Sequence, residues 1–305
     1  MNRKTKKMLA RISTILLLTV LALLLKQLNT SSGEDTSTAT TDSAEILEVH
    51  FIDVGQGDAI LIKTVDCAML IDAGENQSAS VVVDYLKSQN IAKLDYVIGT
   101  HPHVDHIGGL DTVINSFPVD KVILSGATHT TNTFEDLLDS IENSQLTITK
   151  AVVGDRYQLG PASFLVLSPV SSDYNDLNDS SVVIKLTYGD TSFLLTGDAG
   201  TLSENEILQS GFNLTADVLK LGHHGSYDST SIEFLEAVNP SYAVISVGAD
   251  NEYGHPHFET LRKMVNYNIL TYRTDKQGSI IFTSNGKTIS VNQENYEITE
   301  SDLRY

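Results

Sequence analysis

The sequence predicts a layered α/β sandwich on three observations. Short β-like apolar runs alternate with helix-like stretches, that order recurs in the second half of the chain, and each His- or Asp-rich segment directly follows an apolar run. With 41% hydrophobic residues in 305, the chain holds enough apolar material for one large domain or two small ones and is too apolar to be disordered throughout.

From Ile46 the pattern is β-like: Leu47 to Val54, Ala59 to Val65 and Ala68 to Ile71, broken by the turn-rich GQGD and by the segment around Cys67. A helix-like stretch from Ser78 to Ser88 follows, then the apolar strand Leu94 to Gly99, a His-rich turn, and a helix from Ile107 to Asn115. The second half repeats this logic with strands near Ser163 to Leu167, Ser181 to Tyr188 and Thr191 to Thr196. A helix from Leu202 to Gln209 leads to a strand from Asp217 to Leu221, and Ile232 to Val238 and Tyr242 to Val247 form a further helix and strand pair. Gly278 to Thr283 and Lys287 to Val291 read as a closing hairpin around Asn285 and Gly286. The simplest partition is one domain over residues 46–294, with 295–305 as a C-terminal tail.

The first 28 residues differ. Arg3, Lys4, Lys6, Lys7 and Arg11 precede the apolar run Ile12 to Leu25, and no acid occurs there. Fourteen helical residues rise only about 21 Å, short of the roughly 30 Å hydrocarbon core, although Met8 to Leu28 makes a short hydrophobic helical anchor. No A-x-A-like cleavage site follows and no cysteine stands there to take a lipid, so an uncleaved anchor is expected ahead of a cleaved signal peptide. The basic flank should remain in the cytoplasm, which sends the rest of the chain outside, membrane-held or secreted. Residues 29–45, rich in Ser, Thr, Asp and Glu and with almost no aliphatic anchor, read as a flexible linker.

After Lys26, 14 Lys and Arg face 39 Asp and Glu, a formal charge of −25. Such a domain has no general attraction for phosphate backbones, which disfavours nucleic acid without excluding it. The single cysteine, Cys67, allows no intramolecular disulfide and reads as a small buried side chain.

Three of the nine histidines fall within the six positions 101–106 of THPHVDHIGG. Alternate residues at a strand end point the same way, so His101 and His103 can converge on one cation while Asp105 and His106 address a second point nearby. Imidazole and carboxylate suit Zn²⁺, Mn²⁺ or Fe, and no thiolate is present to select zinc. In TGDA, Asp198 ends an apolar strand where a carboxylate can bridge two ions. In LGHHGS, His223 and His224 are neighbours whose side chains diverge, so one should ligate metal and the other face substrate or support the ligands. GHPH offers His255 and His257 as proton donors to a leaving group.

HPHVDH resembles the HxHxDH signature of the metallo-β-lactamase superfamily, and LIDAG resembles its lead-in strand. The resemblance implies an αββα sandwich with one or two divalent ions, zinc or manganese, at its edge. More narrowly, FIDVGQGDAILI, NDSSVVIKLTYGDTSFLLTGDA, DVLKLGHHGS, VISVGADNEYGHPH and YRTDKQGSI resemble the hydrolase domain of ComEC-type competence proteins, implicated in degrading one DNA strand during uptake. Position by position, the resemblance implies His101, His103, Asp105 and His106 as the first ligand group, Asp198 as the bridging carboxylate and His223 as the late ligand. It makes Asp58 and Asp72 residues that orient ligands and sets Asn178 and Ser181 near the pocket.

The sequence departs from the family in two respects. Only His129 stands between HxHxDH and Asp198 where many members have a further His ligand, and no cysteine ligand is present. Nor is a DNA channel expected, because ComEC-type proteins carry this domain beside a many-helix channel and this sequence shows one apolar run.

These readings give a metal-dependent hydrolase that attacks with a metal-activated water, with Asp105, Asp198, His224 and His255 in the catalytic machinery. Its expected substrate is a phosphodiester, DNA being one case. A lactonase or other acyl-ester hydrolase and a non-catalytic anchored binding module are the alternatives.

Overall fold

Strands whose two faces are both covered should read as continuous apolar runs rather than as alternating ones. Two such sets of strands build the chain, and a computed structural model describes residues 45–304. The apolar N-terminal run and nearly all of the linker lie outside the described residues. Among the described residues no helix is long and apolar enough to cross a membrane.

The first six strands are β1 (Leu47–Phe51), β2 (Ile60–Lys63), β3 (Ala68–Ile71), β4 (Leu94–Gly99), β5 (Val119–Leu124) and β6 (Ile148–Lys150). The next seven are β7 (Arg156–Leu159), β8 (Ala162–Ser168), β9 (Val183–Tyr188), β10 (Thr191–Leu195), β11 (Val218–Lys220), β12 (Tyr242–Ile245) and β13 (Leu270–Arg273). The hairpin β14 (Ile280–Ser284) and β15 (Ile289–Val291) then returns to pair with β1, giving one sheet β15-β14-β1-β2-β3-β4-β5-β6 and another β13-β12-β11-β10-β9-β8-β7.

Successive side chains on a strand point to opposite faces, and this partitions the core into three apolar layers. Val49, Phe51, Ile60, Ile62, Met69 and Ile71 of the first sheet meet Phe164, Val166, Ile184, Phe193 and Leu195 of the second between the sheets. Leu61, Leu70, Val97 and Val122 face the other way, onto the helices α1 (Ala79–Ser88), α3 (Leu110–Ser116) and α4 (Asn132–Asn143), with the short α2 (Val104–Ile107) beside them. Leu165, Leu194, Leu219 and Ala243 cover α5 (Thr201–Gln209), α6 (Ile232–Val238) and α7 (Phe258–Asn266). The short α8 (Thr274–Gln277) follows β13. The result is the αββα sandwich.

The elements read from the sequence are present with ends shifted by no more than three residues, and two points differ. The helix expected over Ile107 to Asn115 is two helices, α2 and α3, joined at Gly108 and Gly109. A Cβ on Gly108 would lie 2.4 Å from the amide nitrogen of Asn76, so the glycine lets the His106-bearing turn seat against that loop. Cys67 is only partly buried. The segment 295–304 is packed as well, with Ile298 and Leu303 against the outer layer of the second sheet and Tyr296 N–H donating to the Thr271 carbonyl.

β3 to β6 run parallel, as do β10 to β13, and the sheet pairings put the carboxyl ends of β3, β4, β10, β11 and β12 in position to deliver five loops to one rim. β2 is antiparallel to β3, so the GQGD loop before it arrives at the same end. Phe282 ties the layers together, its ring lying 5.8 Å from Phe51, 5.3 Å from Tyr272 and 5.7 Å from Tyr242. Phe282→Ala should lower unfolding free energy by about 3–5 kcal/mol. The check is urea denaturation, in which the midpoint falls and the slope is unchanged.

Candidate metal centre

The chain leaves β3 at Asp72, which has left-handed backbone (φ 58°) and is fully buried. Its carboxylate accepts from the Thr100 N–H (2.8 Å), the Thr100 hydroxyl (2.7 Å) and His106 Nδ1–H (2.8 Å). Those bonds set the His106 tautomer and leave Nε2 buried, without a hydrogen-bond partner and facing the rim. Opposite, Gly57 (φ 120°) has no room for a side chain, because a Cβ there would sit 2.1 Å from the Asp105 carbonyl oxygen. Asp58 N–H donates to that same carbonyl at 3.1 Å and so anchors the Asp105 turn.

After β11, His223 and His224 are both in the left-handed region, at φ 48° and 52°. For residues with a Cβ this costs free energy and persists only where surroundings impose it. The buried His224 donates from Nδ1 to the Ser246 carbonyl (2.9 Å), which turns Nε2 to within 3.2 Å of Asp105 Oδ2 and 3.4 Å of Asp198 Oδ2. Asp198 Oδ2 is also 3.1 Å from His106 Nε2, and the Asp198 N–H is held by Ser181 Oγ at 3.1 Å.

Asp105, His106, Asp198 and His224 therefore each present a ligand atom, all within 4.8 Å of one another. Two imidazole nitrogens and two carboxylate oxygens are a donor set for a borderline divalent ion. Asp198 Oδ1 is buried with no hydrogen-bond partner, and the buried His106 Nε2 faces only carboxylate oxygens, which is the mark of a site that a cation would complete.

Burial disfavours charge on every member, yet the opposite charges outweigh it. His106 is held well above the usual imidazole range by Asp198, Asp105 and Asp72, and His224 is pushed up to about 10 by Asp198 and Asp105. Asp198 and Asp105 are in turn held below the usual carboxylate range by His106 and His224. Without a cation, the cluster is two carboxylates neutralised by two imidazolium groups.

The remaining predicted residues surround it. His101 and His103 meet each other, Nε2 to Nδ1 at 3.0 Å, with His101 Nε2 3.9 Å from Asp198; they complete no group of three donors among the described residues. Ser181 Oγ is 3.3 Å from His101 Nδ1. A cavity of about 380 Å³ lies above the cluster, lined by Gln56, His103, His129, Asn178, Tyr253 and His255 as well as Asp105, Asp198, His223 and His224. His129 is on the His103 side, its ring 6.2 Å away and its Nδ1 bonded to Thr131 Oγ. His257 is outside the lining, accepting from the Tyr227 N–H.

His223 was expected among the ligands and His224 among the proton donors, but the geometry places His224 in the donor group. His223 stands partly exposed at the lip, Nε2 4.0 Å from Asp198 and Nδ1 3.3 Å from Asp228. Burial would lower its pKa, but the Asp228 hydrogen bond and Asp198 raise it, so His223 keeps its proton to a higher pH than a free imidazole does. Conversely, burial and then the charges of His224, His223 and His257 push His255 down to about 4. At neutral pH His255 is thus a neutral imidazole, an acceptor rather than the expected proton donor. Thr100, Ser246 and Asp228, which orient these histidines, carry no distinguishing signal in the sequence beyond their adjacency to the motifs.

The metallo-beta-lactamase superfamily profile matches residues 52–249. The chain is 33% identical over 251 residues to ComE operon protein 3 of Bacillus subtilis (strain 168), covering 76% of this chain and 32% of that protein. It is 31% identical over 238 residues to competence protein ComA of Neisseria gonorrhoeae, covering 75% and 31%. It thus spans about a third of the length of these relatives. Among solved structures, the metallo-beta-lactamase fold protein YhfI of Bacillus subtilis aligns with a TM-score of 0.55 at 13% identity over 78% of this chain and 100% of that one, a likeness of fold.

A cation entering the cluster must displace the protons on His106 and His224, so affinity should strengthen as pH rises toward the raised imidazole pKa values. Titration with Mn²⁺ or Zn²⁺ between pH 6 and 8 should show about a tenfold gain per pH unit for each proton released, with buffer-dependent heats. An affinity independent of pH would place the ion elsewhere. Asp72→Asn, which frees the His106 ring, should weaken binding about 10–100-fold.

Proposed function

Because the chain belongs to the metallo-beta-lactamase superfamily, we propose that this hydrolase acts on phosphodiesters, outside the cytoplasmic membrane, with one divalent ion held by Asp105, His106, Asp198 and His224. The observation that carries the reading is that four-residue donor group at the floor of an open cavity. A bound divalent ion supplies Lewis acidity, activating water and drawing charge from the scissile group. The basic flank and apolar run of the N-terminus support the location.

The chain's own residues do the rest. Asp72 and the Ser246 carbonyl keep the His106 and His224 rings turned with Nε2 inward. His223, whose protonated form Asp228 favours, is placed to offer the leaving oxygen a proton at the lip and to add positive charge where an anionic ester must lie. His255 faces the same space as a neutral acceptor suited to orienting water, and Asn178 Nδ2, 3.4 Å from His223 Nε2, borders the substrate space. The similarity to competence proteins supports a phosphodiester over an acyl ester. No Lys or Arg lines the cavity and the chain is strongly acidic, which favours a diester compact enough to enter over a long polyanion lying across the surface.

Metal-stripped protein reloaded with Mn²⁺ or Zn²⁺ should hydrolyse a chromogenic phosphodiester, and Asp105→Ala should abolish it. Preferential turnover of a lactone would move the assignment to acyl esters, and metal binding without turnover of either would indicate a binding module. The two neighbouring histidines should separate cleanly. His224→Ala loses the metal, whereas His223→Ala keeps the metal by elemental analysis and lowers kcat by about 10²–10⁴-fold.

A further inference from the structure

Lys220 ends β11 in the middle of an apolar layer and is wholly buried, which for an ammonium requires that every proton find an acceptor. Three oxygens surround its Nζ: Asp58 Oδ2 at 2.7 Å, the Gly197 carbonyl at 3.0 Å and the Leu221 carbonyl at 3.0 Å. Each belongs to a different loop of the rim. Gly197 directly precedes Asp198, Leu221 opens the turn carrying His223 and His224, and Asp58 belongs to the loop that pins the Asp105 carbonyl. Asp58 also lies behind both ligand rings, Oδ1 3.6 Å from His224 Nδ1 and Oδ2 4.0 Å from His106 Nδ1.

Two further bonds close the arrangement. Thr196 Oγ donates to the Lys220 carbonyl at 2.7 Å, and His223 N–H donates to the Gly197 carbonyl at 3.3 Å. Asp58, Asp72 and His106 form a second cluster of ligand atoms within 4.8 Å, behind the first. Lys220 supplies the positive charge at its Asp58 corner, so a metal ion is not needed there.

We propose that Lys220 is a positioning residue: a built-in cation beneath the metal centre that ties the loops of Asp58, Asp198 and His224 at ion-binding distance before any ion arrives. The inference rests on the metal reading above, but its own content is the three-way tie. A lysine serving only to neutralise Asp58 could satisfy its other protons within one loop, whereas these two carbonyls belong to the separate loops that carry Asp198 and His224.

The test compares Mn²⁺ affinity and metal-free stability in the full chain for wild type, Lys220→Met and Lys220→Met/Asp58→Asn. Lys220→Met should weaken Mn²⁺ binding about 10–100-fold, as loss of ligand support does. The double variant removes the uncompensated buried carboxylate, so it should regain thermal stability while its Mn²⁺ affinity stays low. Full recovery of affinity in the double variant, or unchanged affinity in Lys220→Met, overturns the tie and leaves Lys220 as a counter-ion. Independently of any variant, NMR of the ¹⁵N-lysine-labelled wild-type chain without metal should show one ammonium protected from solvent exchange; its absence overturns the proposal. Failure of wild type to bind Mn²⁺ with that signal present would instead refute the metal reading.

Discussion

A carboxylate buried as completely as that of Asp198 keeps its charge only beside compensating cations, because the seam between two apolar sheets offers little water to solvate it. His106 and His224 are those cations, and each needs a partner of its own behind it. His106 leans on Asp72, which in turn is held by Thr100. His224 is held by the Ser246 carbonyl, with Asp58 close behind it and Lys220 behind Asp58. The alternation of charge runs inward from the cavity until it ends on a lysine and a hydroxyl. Ion-ready geometry is a consequence of this nesting: the same contacts that make burial tolerable aim the ligand atoms at one point.

The backbone accommodates that demand locally. Asp72, His223 and His224 all occupy left-handed conformations that side-chain-bearing residues rarely adopt, and all three adjoin the metal cluster. The loops carrying them leave the carboxyl ends of parallel strands in both sheets, where the chain must turn away from the strand axis and where side chains from separate elements meet. Strain in the loops is held by the apolar core around Phe51, Phe193 and Phe282, on which a site assembled from loops of both sheets rests.

Much of this was legible in the residues. The continuous apolar runs announced strands covered on both faces, and HPHVDH, TGDA and LGHHGS announced the rim, because charged and imidazole side chains placed directly after apolar strands have few other reasons to be there. What escaped follows from specific physics. The divergence of neighbouring side chains leaves open which of His223 and His224 ligates; the resemblance pointed to His223, whereas the consecutive left-handed residues there turn the His224 ring inward. Lys220 passes in a sequence for a surface lysine at a strand end, since only the fold shows three oxygens converging on it. The acidic helix α4 went unread because Phe134, Leu137 and Ile141 make a narrow apolar stripe in a run dominated by Asp, Glu and Asn.

The charge state of the cluster bears on how the site can be used. Exchanging the protons on His106 and His224 for one divalent ion leaves the net charge of the cluster, ion included, unchanged, so the fold is electrostatically satisfied in either state. What changes is distribution. Two positive charges that were each matched to a buried carboxylate become one point of charge that can also face the cavity. The lining contains no Lys or Arg, and the charge that His223 brings to the lip is partly offset by Asp228. Under the proposed reading, attraction for an anionic ester in this acidic chain therefore calls for the ion beside His223, which orders the two binding events: cation first, ester second.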